Sequence, residues 1–263
     1  MPKRKDLKTI LLIGSGPIRV GQACEFDYSG TQACLSLKEE GYIVILLNDN
    51  PASIMTDHDI ADHTYIEPIT IASVEAILKK HRPCAVLPTV GGQTALNLVL
   101  ELQRKDLLKR YNVEIIGATI DAIEKGEDRH KFTQVLRNNN IAVLPSHRVL
   151  SWQDMKDCIH ELPFPVIVRT SFSLAGSNSM VAYDHHELSS FCDTMFKEGA
   201  VLSIAPFLNG WKEFEFEVLR DSSGNGFSVC CIENIDPMGI HTGDSITVTP
   251  PITLDDRMYH TLR

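Results

Sequence analysis

The chain has 263 residues, of which 43% are hydrophobic and 22% are charged, so it is long enough for two domains with apolar cores. Its formal charge of -9, from 25 basic and 34 acidic residues, argues against sequence-independent binding to nucleic acid or to an anionic membrane surface. The apolar run after the basic amino terminus is too short for a signal peptide or a membrane span. We therefore expect a cytoplasmic protein whose seven cysteines stay reduced and mostly buried.

In the first half of the chain, apolar runs that predict strands alternate with stretches that predict helices. The strands are TILLIG, IVILLN, CAVLP and VEIIG, and the helices lie near 30–40, at 71–81 and at 94–105. This alternation predicts βαβ units and a parallel sheet covered by helices. Glycine-rich or polar turns follow three of the strands, where an α/β sheet usually binds its ligand.

The first of these turns, GSGPIRVG at 14–21, matches a dinucleotide-binding loop only in part. Its third glycine comes five residues after the second, and Pro17 lacks the amide that could donate to a phosphate. A nicotinamide-dependent oxidoreductase is therefore an alternative that rests on this turn. A tight strand-to-helix crossover explains the same glycines at least as well.

The second half of the chain has a different order of predicted helices and strands. Helices are predicted at 120–139, at 152–160 and near 186–197, and strands in FPVIVRT, SMVAYD, AVLSIAPFL, KEFEFEVLRD and FSVCCIENID. The stretch SSGNG predicts a hairpin turn between the last two strands, so this half should be α+β with an antiparallel sheet. A further helix opens at about Asp255 and has run roughly two turns when the sequence stops, which leads us to expect a fragment.

Several side chains in this half could act on a phosphate or a nucleotide. Arg129 and Arg169 each lie at the edge of an apolar element, and two converging arginines could hold a polyphosphate, although either alone is more often a surface ion pair. The loop 173–179 could fold over phosphates through its amides. Glu213 begins an alternating acidic face that could accept ribose hydroxyls or simply face solvent. His241 lies between two glycines and could touch a transferring phosphoryl group, although a lone loop histidine usually has no chemical role.

Long stretches of the chain resemble the amino-terminal half of the large chain of carbamoyl-phosphate synthetase. Among them are ILLIGSGPIRVGQACEFDYSGTQAC, NPASIMTD, VLPTVGGQTALN, GWKEFEFEV and IENIDPMGIHTGDSITV, and together they span nearly the whole sequence. The resemblance implies a Rossmann-like pre-ATP-grasp domain with a parallel sheet at 1–127. It also implies an α+β ATP-grasp domain at 128–263 that is incomplete at its carboxyl end.

The resemblance also implies an activity, an ATP-dependent C–N ligase reaction. In this family the amino-terminal half uses Mg-ATP to phosphorylate bicarbonate to carboxyphosphate, and ammonia from a glutaminase small subunit converts carboxyphosphate to carbamate. The remainder of the large chain then phosphorylates carbamate to carbamoyl phosphate, which serves arginine and pyrimidine biosynthesis. The implied partners are therefore the glutaminase subunit and the rest of the large chain, with bicarbonate, ammonia and ATP as substrates.

The family's nucleotide site can be carried over residue by residue. Arg129 and Arg169 match arginines that hold the phosphates, and with His241 they are the candidate catalytic residues. The candidate ATP-binding set is Arg129, Arg169, Ala175, Gly176, Leu208, Glu213, Gly239, Ile240 and His241. In this set Ala175 and Gly176 belong to the loop over the phosphates, Leu208 faces adenine, and Glu213 binds ribose. No metal ligand is predicted within the chain, because the family's ligands for Mg2+ or Mn2+ lie beyond residue 263.

The sequence departs from the family at two places in this site. The family loop reads PSFTMGGSGGG, whereas four of its glycines are here Ala175, Asn178, Ser179 and Met180. Pro206 stands where the family has a glutamate. With the metal ligands missing as well, we expect this chain alone to be inactive. The alternative hypothesis is a diverged, non-catalytic module that binds a nucleotide or a partner.

Overall fold

The computed structural model describes residues 3–17, 23–160, 162–170, 179–240 and 244–263. The chain divides into two compact units, Met1–Val143 and Leu144–Arg263. In the described ranges, no helix is both long enough and apolar enough to cross a bilayer.

The first unit is built on a five-stranded parallel sheet with the strand order β3-β2-β1-β4-β5. Its strands are β1 (Thr9–Ile13), β2 (Ile43–Asn48), β3 (His63–Ile66), β4 (Ala85–Leu87) and β5 (Glu114–Ile115). Its helices are α1 (Ala23–Glu39), α2 (Ile71–His81), α3 (Gly92–Arg104), α4 (Leu107–Tyr111), α5 (Ile120–Glu127) and α6 (Arg129–Asn138), with a short 3-10 helix at Ile54–Thr56.

Both faces of this sheet are buried, which explains why its strands read as continuous apolar runs. Side chains alternate along a strand, so Leu11 and Ile13 pack with residues of α2 and α3, while Leu12 packs on the other face with Cys34 and Met55. All five of these named side chains are fully buried. Each buried leucine or isoleucine contributes about 1.5–3 kcal/mol to folding.

Three features of this unit differ from the sequence-based expectations. The first helix begins at Ala23, well before the expected start near 30. The helix expected over 120–139 is two helices, because Asp128 ends α5 and its carboxylate accepts hydrogen bonds from the backbone of His130 and Lys131 at the start of α6. Strand β3 was not predicted, since HTYI is short and only half-buried.

The second unit contains two antiparallel sheets, as expected for an α+β region. The first sheet has the order β6-β9-β7-β8, and helices α7 (Trp152–Ile159) and α8 (His185–Lys197) belong to the same unit. Its strands are β6 (His147–Val149), β7 (Val166–Thr170), β8 (Ser179–Ala182) and β9 (Leu202–Pro206). Its core combines strand residues such as Val168 and Ile204 with Leu188 of α8.

The second antiparallel sheet has three strands, β10 (Glu213–Arg220), β11 (Gly226–Asn234) and β12 (Thr247–Val248). The predicted hairpin joins β10 to β11. The last helix, α9 (Asp256–Leu262), is capped by Asp255, and the ring of its Tyr259 lies 5.6 Å from that of Phe216 on β10. The phenylalanine face of β10 therefore packs on α9, and its glutamates face the other way.

Candidate functional site

The glycine-rich turn after β1 is held by hydrogen bonds within the protein. The Gly16 amide donates to Oδ1 of Asn48 at 2.9 Å, and the Gly14 amide donates to the Leu47 carbonyl at 2.8 Å. Asn48 is fully buried, and its Nδ2 donates to Oγ of Ser53 at 3.1 Å. The Gly16 amide therefore has a protein partner, and this argues against the dinucleotide-binding interpretation of the turn.

The second glycine-rich turn packs tightly against the end of β1. A Cβ atom placed on Gly91 would lie 2.3 Å from the Ile13 carbonyl oxygen and 2.6 Å from that of Gly14. Gly91 is the N-cap residue of α3, so glycine is needed there to let the helix start against the strand. In this turn, packing accounts for the glycine.

The two candidate arginines belong to different units. Arg129 is the first residue of α6, a helix with no buried residue, and its guanidinium is exposed and has no ion-pair or hydrogen-bond partner among the described residues. Arg169 lies on β7, where it is paired with Ser203 of β9 and Ser179 of β8. Arg129 is thus placed at a helix start and Arg169 on a central strand of its sheet.

Two segments of the second unit that carry predicted nucleotide-binding residues are bonded to one another. The Trp211 amide donates to the Leu208 carbonyl at 3.2 Å, and the Trp211 carbonyl accepts from the Met238 amide at 3.2 Å. A Cβ atom on Gly239 would lie 3.5 Å from the ring of Phe207. The segment that carries Leu208 and leads to Glu213 is therefore joined to the segment that carries Gly239 and Ile240.

Glu213 has a carboxylate that is available to a ligand. It begins β10, is half-buried, and stands opposite Asn234 of β11. Its side chain makes no hydrogen bond or ion pair with the described residues. An ionised carboxylate only accepts hydrogen bonds, which suits the hydroxyl groups of a sugar.

The acidic face of β10 is less uniform than its sequence indicates. The Asn234 side chain, which is 5% exposed, donates from Nδ2 to Oε1 of Glu215 at 3.0 Å. Oδ1 of Asn234 is buried without a hydrogen-bond partner. Sequence reasoning did not single out Asn234, although an amide beside a glutamate in the apolar strand FSVCCIENID is a usable signal.

The other predicted site residues, Ala175, Gly176 and His241, lie outside the described residues. So does most of the loop over the phosphates, including Asn178. Over the ranges that the structure does describe, no group of three or more histidine, cysteine, aspartate or glutamate side chains could hold a metal ion.

Most of the described cysteines are buried, as predicted. Cys34, Cys158, Cys192 and Cys231 are buried, whereas Cys84 and Cys230 are half-buried. Burial raises the pKa of the Cys34 thiol to about 12 and that of Cys192 to about 11. These two thiols are therefore poor nucleophiles at neutral pH.

The chain shares its fold with solved α/β enzymes. It is similar to N5-carboxyaminoimidazole ribonucleotide synthetase in an ADP complex, with a TM-score of 0.71 and 17% identity over 97% of this chain and 60% of that one. It is also similar to the biotin carboxylase domain of the Hydrogenobacter thermophilus 2-oxoglutarate carboxylase, with a TM-score of 0.72 and 16% identity over 97% of this chain and 56% of that one. At these identities the likeness shows the fold, and it confirms the predicted fold class.

Sequence comparison identifies the family within this class. Residues 6–125 match the carbamoyl phosphate synthase preATP-grasp domain, and residues 128–263 match the ATP binding domain of the carbamoyl-phosphate synthase L chain. The chain belongs to the carbamoyl-phosphate synthase large-chain family, as its sequence predicts. This membership argues against the oxidoreductase alternative. The domain boundary between 127 and 128 stays a prediction, and the compact units themselves divide between 143 and 144.

Curated relatives match along the entire chain. The carbamoyl phosphate synthase large chain of Buchnera aphidicola is 52% identical over 265 aligned residues, which are 100% of this chain and 25% of that protein. The N-terminal section of the large chain from Aquifex aeolicus is also 52% identical, over 100% of this chain and 48% of that protein. The chain thus spans between a quarter and a half of the length of these relatives.

Proposed function

We propose that this chain is the amino-terminal part of a carbamoyl-phosphate synthase large chain, a cytoplasmic ATP-dependent C–N ligase. The observation that carries the proposal is the 52% identity along the full chain to a protein named as the N-terminal section of that enzyme. In the complete enzyme, this part would phosphorylate bicarbonate with Mg-ATP and combine the carboxyphosphate with ammonia from the glutaminase small subunit. The product, carbamoyl phosphate, would serve arginine and pyrimidine synthesis.

The chemistry proposed for this site is phosphoryl transfer. An oxygen of bicarbonate bonds to the γ-phosphorus of ATP while ADP leaves, and ammonia then displaces phosphate from carboxyphosphate to give carbamate. Such transfers need charge neutralisation and positioning more than a covalent nucleophile. Arg129 and Arg169 would neutralise the phosphates, with Ala175, Gly176 and His241 close to them.

The nucleoside would lie against the second unit. The Leu208 backbone would face adenine, and the Glu213 carboxylate would accept hydrogen bonds from the ribose. Gly239 and Ile240 would lead the chain from this place toward the phosphates. The bond that joins Trp211 to Met238 supports this arrangement, because it fixes the two segments to one another.

Magnesium would reach the site with ATP, and its protein ligands would come from the rest of the large chain. Because the family's metal ligands lie beyond residue 263, we propose that this chain contributes to nucleotide binding but does not catalyse the reaction alone. In the complete enzyme Mn2+ would be the alternative to Mg2+ at this site.

A second candidate function is a diverged module that binds a nucleotide or a partner protein without catalysis. The observation that favours it is Pro206, which ends β9 opposite Val166 where the family has a glutamate. Its side chain has no polar atom for a nucleotide. The altered loop at 170–180 favours the same alternative.

A calorimetric titration of the full chain with Mg-ATP tests the proposal. Arg129→Ala should weaken binding about tenfold or more, because a hydrogen bond to a charged group is worth about 1.5–3 kcal/mol. Arg137→Ala removes another arginine from α6 and serves as the matched control. Glu213→Gln and Glu217→Gln form a second pair on β10.

The outcomes separate a nucleotide site from a module that binds only a partner. Saturable binding that Arg129→Ala and Glu213→Gln weaken, and their controls do not, supports the nucleotide site that the synthase requires. Binding that is equal in Arg129→Ala and Arg137→Ala would contradict the assigned phosphate contact. A folded chain that binds no nucleotide would favour the partner-binding module.

A further inference from the structure

The two Asn-Gly sequences of the chain have very different surroundings. Asn209 and Gly210 form the exposed tip of a turn between β9 and β10. Asn225 and Gly226 lie at the hairpin between β10 and β11. Asparagine deamidates most readily when glycine follows it, because no side chain then hinders attack by the glycine nitrogen on the side-chain carbonyl carbon of the asparagine.

The Asn209 turn leaves its reacting groups unrestrained. One backbone hydrogen bond closes the turn, from the Trp211 amide to the Leu208 carbonyl at 3.2 Å. Within the described part of the chain, neither the Asn209 side chain nor the Gly210 amide has a hydrogen-bond partner. Gly210 has a φ of +77°, and a Cβ atom placed on it would meet nothing within 4 Å. The side chain can therefore rotate toward the glycine nitrogen.

The Asn225 site is held in place by Asp221. Oδ2 of Asp221 accepts from Nδ2 of Asn225 at 2.8 Å, and Oδ1 accepts from the Asn225 amide at 2.8 Å. The Asp221 amide donates to the Asn225 carbonyl at 3.0 Å. Gly226 is already part of β11, opposite Arg220. Attack on the Asn225 side chain would break these bonds before it could begin.

We propose that Asn209 is a site of spontaneous deamidation, and that Asp221 protects Asn225 from the same reaction. The Gly210 nitrogen attacks the side-chain carbonyl carbon of Asn209, and ammonia leaves with the proton of that nitrogen, which gives a cyclic imide. Water then opens the imide at one of its two carbonyl groups. The products are aspartate or isoaspartate at position 209.

Either product changes the turn. Both add a negative charge beside Leu208, and isoaspartate also inserts one more carbon into the backbone between Leu208 and Trp211. The hydrogen bond between these two residues should weaken, and with it the link from Trp211 to Met238. A lower affinity for Mg-ATP would follow, and this consequence alone rests on the proposed function.

Peptide mapping by mass spectrometry tests the proposal on the full chain. The folded protein is incubated in mildly alkaline buffer, and conversion is followed at both positions, with isoaspartate resolved from aspartate. Asn209 should convert about tenfold faster than Asn225 or more, given the bonds that Asp221 supplies to Asn225. In urea, where those bonds are lost, the two rates should approach one another.

Two variants sharpen the test. Asp221→Ala should raise the rate at Asn225 toward that at Asn209, whereas Gly210→Ala should slow the reaction at Asn209 and leave Asn225 unchanged. The proposal is overturned if Asn209 converts no faster than Asn225 in the folded wild-type chain, a result that needs no variant to fold. If the unmodified chain fails to bind Mg-ATP, the proposed function is contradicted while the conversion ratio still decides the deamidation.

Discussion

The carboxylate of Glu233 on β11 holds Thr253, which lies close before the last helix. It accepts hydrogen bonds from the Thr253 amide at 2.9 Å, from the Ile252 amide at 2.7 Å and from the Thr253 hydroxyl. Glu233 is 3% exposed, so these bonds satisfy a buried charge. The segment that leads into α9 is thereby attached to the three-stranded sheet of β10, β11 and β12.

This relationship predicts a loss of stability in acid. Burial raises the pKa of Glu233, but the hydrogen bonds from Thr253 and Ile252 outweigh it, and the net shift is downward. A carboxyl group whose pKa is lowered by folding stabilises the fold above its unfolded pKa, and this contribution is lost as the pH falls through the folded pKa. Urea unfolding across the acidic range should show this loss in the wild type.

Glu233→Gln should lower the unfolding midpoint at neutral pH and flatten the acidic part of that profile. A neutral amide accepts at one atom only, so weaker hydrogen bonds replace the charge-assisted ones to the 252–253 segment. Glu217→Gln, which removes an exposed carboxylate from β10, is the control and should match the wild type. An acidic profile in Glu233→Gln that is identical to that of the wild type would contradict the assignment.

Alanine substitutions at Gly91 and Gly126 should change the free energy of unfolding in opposite directions. Gly91→Ala should destabilise the fold by about 1–3 kcal/mol, because its Cβ would press against the carbonyl of Ile13 and force a backbone shift. Gly126 lies exposed within α5 with nothing within 4 Å of its Cβ position, so Gly126→Ala should stabilise by about 0.5–1 kcal/mol. Denaturant unfolding of the two variants measures both effects, and a stable Gly91→Ala chain would show that the turn can move.

Local sequence signals were enough to predict most elements of the fold. The apolar runs identified β1, β2 and β4, and the stretch SSGNG identified the hairpin turn between β10 and β11. These features depend on a few neighbouring residues. The break at Asp128 was missed because both of its flanking segments have helical patterns, and only the cap geometry separates them.

Contacts between distant residues could not be predicted in the same way. Asp27 on α1 accepts hydrogen bonds from the amides of Ile54 and Met55, which lie beyond β2 in the chain. Asn234 and Glu215 meet only because the β10–β11 register places them diagonally across two strands. A single sequence does not specify such registers, which follow from the packing of whole elements.

Thiol reactivity should follow burial among the described cysteines. Cys34 and Cys192, with pKa values raised by burial to about 12 and about 11, should resist alkylation in the native state. The half-buried Cys84 and Cys230 should react first. Mass spectrometry of peptides after timed alkylation measures the order, and urea should remove the difference. Early labelling of Cys34 in the folded chain would contradict its buried position between α1 and the parallel sheet.

Asn48 is expected to be the polar residue on which the first glycine turn depends most. Asn48→Leu keeps the approximate size of the side chain but removes the acceptor for the Gly16 amide and the donor to Ser53. A buried donor left without a partner costs about 1–3 kcal/mol, and the free energy of unfolding should fall by that amount. Asn97→Leu, at an exposed position of α3, is the control and should change the free energy of unfolding by less than about 0.5 kcal/mol.

Hydrogen exchange at Gly16 gives the local readout: its amide should exchange faster in Asn48→Leu and at the wild-type rate in Asn97→Leu. Equal exchange in both variants would mean that another group fixes the turn.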